Sequence, residues 1–373
     1  MNIVFVCKRY YTGKDVIRHR FGRLYEFPTQ LARLGHVITV VCLDYRNDDP
    51  HEEFIEQFGS GSVRWIIVSM RRIFCFEIGG IYRTIKAAQP AVIVGSSDIP
   101  SLWLARRLSR LLGTAYVVDL YDNYESFGQA RIPLFRRLLR ACIREAGAVI
   151  VVSSVLQSKV INDYAPRGDV VVMINGIARS SFFPGDRETA RLALGLPLNA
   201  KLIGTAGNLS RMKGLDTVYS AWTGLEGLVE DLYLVLAGRV EPAFPVPSGA
   251  RVLYLGELLE VQVSQLFRAL DVGIISAHDS DFGRYCFPQK LFEMVACGLP
   301  VVAAKVGAIS QALRASPEAL FVPGDDKGLI AAVMLQLENS HLADINPVEW
   351  CELIESVEPV ILDMAKQAES NRH

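Results

Sequence analysis

Short apolar runs alternate with helix-patterned segments along almost the whole chain, and this alternation constrains the fold more than any other feature of the sequence. Residues 3–7 (IVFVC) read as a buried strand, 21–34 as a helix stopped by Gly35, and 37–43 (VITVVCL) as a second strand. A strand–helix–strand unit implies parallel strands joined by crossovers. The pattern continues with strands at 64–69, 91–95, 115–120, 148–152 and 170–174, and helices at 81–88, 102–112 and 132–145. Near-continuous Val and Ile runs suit strands covered on both faces. After Asn175-Gly176 comes a looser stretch of Gly, Pro, Ser and Phe, and then strands resume at 202–206, 232–237, 252–255, 272–276 and 301–304. The expectation is an α/β protein of two similar domains, 1–175 and 188–346, with a linker at 176–187.

Half of the 373 residues are hydrophobic and 21% are charged, enough to fill two cores and too apolar for a disordered chain. The net charge of −1 gives no footprint for nucleic acid. The seven cysteines (Cys7, Cys42, Cys75, Cys142, Cys286, Cys297, Cys351) are odd in number and contain no C-x-x-C. They point away from a disulfide scaffold or a cysteine zinc site, and toward a reducing cytoplasm. The start MNIVFVCKRYY lacks a long signal h-region, and no run approaches the roughly 18 apolar residues of a spanning helix. Any membrane association is therefore expected to be peripheral.

Charge is uneven locally. Lys8, Arg9, Lys14, Arg18, His19, Arg20 and Arg23 follow the first strand, where open α/β sheets bind ligands. They read either as an anion- or acceptor-binding loop, or as a solvated charged loop. No G-x-G-x-x-G is present, so a dinucleotide fingerprint is absent. Strand 115–120 delivers Asp119, Tyr121, Asp122 and Asn123 into another loop; Asp122 can orient a hydroxyl or simply cap a turn. In 132–145, Arg136, Arg137, Arg140 and Arg144 form a basic stripe opposite Leu134, Phe135, Leu138, Leu139 and Ile143. Such a helix can lie on anionic lipid, or pack on its own sheet as an ordinary surface helix.

In the second half, 207–214 (GNLSRMKG) is a glycine-bounded loop with two cations. Further on, 282–302 reads FGRYCFPQKLFEMVACGLPVV. Phe282 and Gly283 are expected in a loop, Pro288 opens a helix, and Gly298 ends it. Lys290 and Glu293 share a face near the helix N-terminus, an end that favours anions. They make either a nucleotide-sugar clamp or a surface ion pair.

These features occur in order: GNLSRMKG, then Ala237-Gly238, then Tyr254-Leu255-Gly256, then P-x-K-x-x-E-x-x-A-x-G-x-P-V from Pro288. With Asn175-Gly176 before the linker, the set resembles the retaining, GT-B-fold glycosyltransferases of family 4, and the resemblance covers nearly the whole chain in order. The resemblance implies two Rossmann-like domains with mostly parallel sheets facing a central cleft. The C-terminal domain would bind a nucleotide-diphosphate sugar and the N-terminal domain a glycan or lipid-linked acceptor, with the last helix (about 347–373) crossing back to the first domain. It also implies donor-binding roles for Gly207, Asn208, Arg211, Lys213, Leu258, Pro288, Lys290 and Glu293. Glu293 would hold the ribose and Lys213 would neutralise the diphosphate. Asn208 stands where the family usually has Arg, and Arg211 would supply that charge. Leu258 lies in the loop bordering the nucleobase.

No cofactor or metal is expected, since fixed cations can stabilise a departing diphosphate and no D-x-D occupies a suitable loop. Tyr285 replaces the first of the family's two glutamates. No histidine follows strand 115–120, so Asp122 is the substitute and joins Lys213 and Glu293 as the catalytic candidates. Arg18, Arg20, Arg136, Arg137 and Arg140 are the acceptor- or membrane-facing candidates. Cell-surface polysaccharide or lipopolysaccharide synthesis would follow. The alternatives are a soluble transferase with a small acceptor, or a non-catalytic sugar-nucleotide-binding scaffold of the same fold.

Overall fold

The computed structural model describes residues 1–11, 13–47, 52–72, 78–126, 128 and 132–370; Cys75 lies outside the described residues. The chain divides into two compact units. One is Met1–Asn175 with Trp350–His373, the other Gly176–Glu349. The expected pair of mostly parallel α/β domains is what the chain forms.

In the first unit the elements run β1 (Asn2–Lys8), α1 (Arg23–Arg33), β2 (Val37–Asp44), β3 (Glu52–Phe58), β4 (Gly61–Ser69), α2 (Ile78–Ala87), β5 (Val92–Ser96), α3 (Ile99–Leu112), β6 (Ala115–Leu120), α4 (Pro133–Glu145), β7 (Ala148–Val151), α5 (Ser154–Tyr164) and β8 (Asp169–Val172). Among the described residues they build an eight-stranded sheet in the order β8-β7-β6-β5-β1-β2-β4-β3. All neighbours are parallel except β3, which pairs antiparallel with β4. β3 is missing from the sequence reading because EEFIEQF is too acidic to look like a strand. It is an edge strand with mostly exposed residues, and its carboxylates are used in pairs, Glu53 with Arg64 (2.7 Å) and Glu56 with the Trp65 indole N–H (2.7 Å). β4 also starts earlier than expected. At Gly61 a Cβ would lie 2.0 Å from the Ala32 carbonyl, so only glycine lets the strand enter there.

The helices are bounded by local chemistry. Asp98 caps α3 by accepting from Ser101 N, and Gly113 at φ 62° ends it. Ser153 caps α5 through Leu156 N. The last helix, Trp350–Ser370, belongs to this unit; it packs on α1 and β6 through Ile354, Val357 and Ile361, and Glu358 meets His36 Nε2 at 2.6 Å.

The second unit contains α6 (Arg187–Leu194), β9 (Lys201–Ala206), α7 (Leu215–Leu228), β10 (Leu232–Ala237), β11 (Val252–Tyr254), α8 (Glu260–Ala269), β12 (Val272–Ile275), α9 (Gln289–Ala296), β13 (Val301–Ala304), β14 (Leu320–Phe321) and α10 (Asp326–Glu338). Its sheet, six-stranded among the described residues, runs β11-β10-β9-β12-β13-β14, parallel throughout. Residues 176–187, expected as a linker, are packed into this unit. Ile177 bridges Glu349, Phe182 is buried against Phe267, and Ser181 O accepts from Ser264 Oγ at 2.5 Å.

Candidate functional site

In the second unit the winding reverses at β9, which lies between β10 and β12. Loops leaving adjacent strands diverge at such a point and leave a crevice at the carboxyl ends. Three loops are tied along that edge. Gly207 N donates to Ala237 O (2.9 Å), Leu209 N to Arg239 O (2.8 Å), and Gly238 N to Gly256 O (2.6 Å). Gly238 has φ 118°, and a Cβ there would sit 1.9 Å from Gly207 O, so the two loop backbones can touch only because residue 238 is glycine. Leu258 follows in the same edge, half-buried, while Gly207 and Asn208 are exposed. Arg211–Lys213 forms one 3-10 turn that runs through Gly214 (φ 74°) into α7. Ser276 Oγ donates to Lys213 O (2.8 Å), which fixes the turn against the end of β12.

Residues 282 and 283, expected in a loop, lie in a short helix, Asp281–Tyr285. The polar Ser280-Asp281 start that suggests a loop is the cap itself: Ser280 Oγ accepts from Gly283 N at 3.2 Å. Its second residue, Phe282, places its ring centroid 4.1 Å from the Lys213 ammonium. Pro288 is the residue before α9 rather than its first helical residue. Tyr285 ends the short helix, and the stretch before it is paired: His278 with Asp216 of α7 (3.0 Å) and Arg284 with Asp279 (2.6 Å).

α9 brings Lys290 over the crevice. Its Nζ lies 3.4 Å from Thr205 Oγ1, and the closest side-chain atom to an imagined Gly207 Cβ is the same nitrogen. Burial depresses the Lys290 pKa to about 8, the Lys213 ammonium pushes the same way, and Glu293 opposes them. Lys213, Lys290 and Glu293 are thus brought together electrostatically, two cations against one carboxylate. A bound anion would relieve that excess positive charge. Arg211 is exposed at the rim, its guanidinium 5.4 Å from the Phe244 ring, which stacks on Tyr219 (4.9 Å, 6°). Glu241 accepts from Arg211 N at 3.1 Å. The aromatic support of this arginine has no motif, because Tyr219 and Phe244 come from separate segments.

In the basic segment 8–23, read either as an anion- or acceptor-binding loop or as a solvated charged loop, two of the arginines are buried in ion pairs. Arg9 is buried and paired with Asp15 (2.9 Å) and Asp44 (3.2 Å). Arg23 is buried against Asp119 (2.6 Å) and donates to Met173 O (2.7 Å). Arg18 and Arg20 are exposed, yet each lies near a carboxylate of β3: Glu52 at 3.4 Å and Glu56 at 3.3 Å. Four of its cations, Arg9, Arg18, Arg20 and Arg23, are thus each set beside a carboxylate, most of them distant in sequence. Asp122 is buried and Oδ1 accepts from Asn123 N at 2.8 Å. Arg136, Arg137 and Arg140 are exposed on α4, which buries only Leu139, Cys142 and Ile143; Leu134 is 70% exposed. Among the described residues no helix is long and apolar enough to cross a membrane, and no group of three or more His, Cys, Asp or Glu is placed to hold a metal ion.

Comparison with known proteins agrees with this architecture. A glycosyl transferase 4-like domain matches residues 23–176, and a glycosyl transferases group 1 domain matches residues 200–339. The D-inositol 3-phosphate glycosyltransferase of Mycobacterium tuberculosis (strain ATCC 25618 / H37Rv) is 31% identical over 164 residues, 41% of this chain and 32% of that protein. The match therefore spans about a third of that relative's length. Sucrose-phosphate synthase from Thermosynechococcus elongatus superposes with a TM-score of 0.71 at 18% identity, over 99% of this chain and 98% of the other. Anabaena HepE in complex with UDP-glucose gives 0.67 at 18% identity, over 100% and 99%. At these identities the structural likeness is one of fold.

Proposed function

Because the chain belongs to the GT-B glycosyltransferases, with a 4-like domain followed by a group 1 domain, we propose that it moves a glycosyl group from a nucleotide-diphosphate sugar to a hydroxyl of a glycan or lipid-linked acceptor, with retention at the anomeric carbon. The observation that carries this is Lys290, placed beside Thr205 and Gly207 at the edge tied through Gly207, Gly238 and Gly256 and lying within the field of Lys213 and Glu293. In this proposal the diphosphate occupies the positive crevice. Lys213 and Lys290 face its oxygens, Arg211 extends the charge at the rim, and Glu293 accepts hydrogen bonds from the ribose hydroxyls. Asn208 and Pro288 border the phosphates, and Leu258 borders the base.

As the anomeric C–O bond breaks, negative charge grows on the leaving diphosphate. The two ammoniums are fixed beforehand and need no reorganisation, which is the condition for stabilising a transition state more than the ground state. These cations supply the charge that a divalent ion supplies elsewhere, so the proposed reaction runs without a metal. Asp122 is the proposed acid-base group on the acceptor side.

The exposed Arg136–Arg137–Arg140 face of α4, with Leu134 beside it, supports a lipid-linked acceptor met at an anionic membrane surface. Cell-surface polysaccharide or lipopolysaccharide synthesis at the inner face of the cytoplasmic membrane is the proposed setting. A second reading, a soluble transferase with a small acceptor, is favoured by the relative named for D-inositol 3-phosphate.

The test is a thermal-shift screen against nucleotide-diphosphate sugars, since a ligand that binds only the folded state raises the melting temperature. One donor should raise it in the wild type and not in Glu293→Ala. A flat response to every donor would remove the basis of the assignment. Release of nucleotide in the presence of acceptor extract then separates an enzyme from a binding scaffold.

A further inference from the structure

Lys213 carries its charge on a long, flexible stem, and a cation stabilises a departing group best when it is fixed beforehand. Within the same unit Arg191 is fixed by a carboxylate, Asp271 at 2.8 Å. Such a pair holds the cation and also cancels its charge. Lys213 is held in another way. Its ammonium lies over the Phe282 ring, 4.1 Å from the centroid. The face of an aromatic ring is the negative side of its quadrupole and attracts a cation, yet the ring has no net charge. The ammonium is therefore seated with its own charge intact. An ammonium carries three N–H donors, so those turned from the ring can still meet oxygen.

Backbone packing sets the distance between the two groups. Lys213 follows β9 and Phe282 follows β12, neighbouring parallel strands. Beyond the strands the two segments are tied again. Ser276 Oγ holds Lys213 O, a Cβ on Gly214 would lie 2.9 Å from Ala277 N, and His278 Nε2 is 3.0 Å from Asp216 Oδ1. The short helix Asp281–Tyr285 that carries Phe282 is fixed at both ends, by the Ser280 cap and by Cys286 N donating to Phe282 O at 3.0 Å. Its Gly283 abuts the His278 carbonyl, where a Cβ has no room. Phe282 and Lys213 are both half-buried. In this position the Lys213 ammonium is near enough to Lys290 to push its pKa down, so it already stands at the crevice.

We propose that Phe282 is a positioning residue: its ring holds the Lys213 ammonium in place for the donor diphosphate before the donor arrives, without neutralising it. The proposal rests on the donor-site reading above. Lys213 and Lys290 repel each other, and a lysine on a flexible stem relieves such repulsion by swinging into solvent. The ring opposes that swing. A diphosphate approaches the ammonium from the side away from the ring, so ring and phosphate hold the same cation together rather than compete for it.

The test is a double-mutant cycle on the full chain, read by calorimetry with UDP, ADP and GDP. Phe282 is replaced by 4-fluoro-, 3,5-difluoro- and 3,4,5-trifluorophenylalanine, which keep the ring's shape and weaken its negative face step by step. Affinity for the nucleotide that binds the wild type should fall in order of fluorine number, by about three- to tenfold at the end of the series, with the melting temperature unchanged. Phe282→Leu, which keeps apolar bulk without a quadrupole, should match the trifluoro protein. In a Lys213→Met background the same series should leave affinity level, because the ring has no cation to hold. A level series with Lys213 present, tighter binding on fluorination, or an equal slope in Lys213→Met would overturn the proposal. If none of the three nucleotides binds the wild type, it is the donor-site reading that fails.

Discussion

At the residue scale, Lys290 is the most informative group. Its pKa is depressed from the ordinary lysine value of 10.5 to about 8 by burial and by Lys213. The unfolded chain therefore holds more protons than the folded one between about pH 8 and 10.5, and the unliganded protein should gain stability from this group as pH rises through that window. A bound diphosphate reverses the balance because it favours the charged form. Donor binding at pH 8.5 should therefore take up protons, measurable by calorimetry in buffers of different ionisation enthalpy, and Lys290→Met should remove the uptake. Binding without proton exchange would mean that Lys290 does not face the phosphates. Lys213→Ala should lower kcat by about a hundredfold, the scale of losing one preorganised charge partner, with a smaller change in KM. Equal kcat in mutant and wild type would end its leaving-group role.

At the scale of elements, two short segments carry more than their length suggests. The first turn of α1 contributes Arg23, whose pair with Asp119 at the end of β6 is almost fully buried. The same guanidinium holds the carbonyls of Met173 and Ile174, just beyond β8. Removing it strands a buried carboxylate, so Arg23→Met should cost about 3–5 kcal/mol in chemical denaturation. A change within error would show that water satisfies Asp119. The Gly207, Gly238 and Gly256 loops form the other. Gly238→Ala pushes a methyl into Gly207 O and should abolish donor binding in calorimetry while the helical circular-dichroism signal persists. Retained affinity would show that the loop edge is not the donor site. Phe244→Ala takes away the ring under Arg211 and should raise donor KM several-fold with little effect on kcat.

At the scale of the whole molecule, the net charge of −1 means that attraction to an anionic surface must be local. α4 supplies exposed Arg136, Arg137 and Arg140. The full chain should co-sediment with vesicles containing phosphatidylglycerol at low salt and be released at high salt, as screening requires. Changing the three arginines to glutamate should eliminate sedimentation, with the melting temperature nearly unchanged. Salt-insensitive solubility of the wild type in the presence of vesicles would favour the small-acceptor reading.

The sequence by itself determined the two parallel α/β units, because strands buried on both faces need unbroken apolar runs such as IVFVC and VITVVCL, and the helices between them carry their own stops in Gly113 and Gly298. It also exposed the spacing of Lys213, Lys290 and Glu293, since a loop and a helix face are local patterns. The edge strand EEFIEQF was illegible, because its carboxylates make sense only beside Arg64 and Trp65. The fate of the cationic segment 8–23 was equally hidden. Arg9 and Arg23 read as free charges until Asp44 and Asp119 arrive from other strands. Only the tertiary structure decided that Phe282 lies under Lys213, and that Phe244 supports Arg211. Those groups come together through strand order and loop packing, and charge and stacking energies depend on distance in space rather than along the chain.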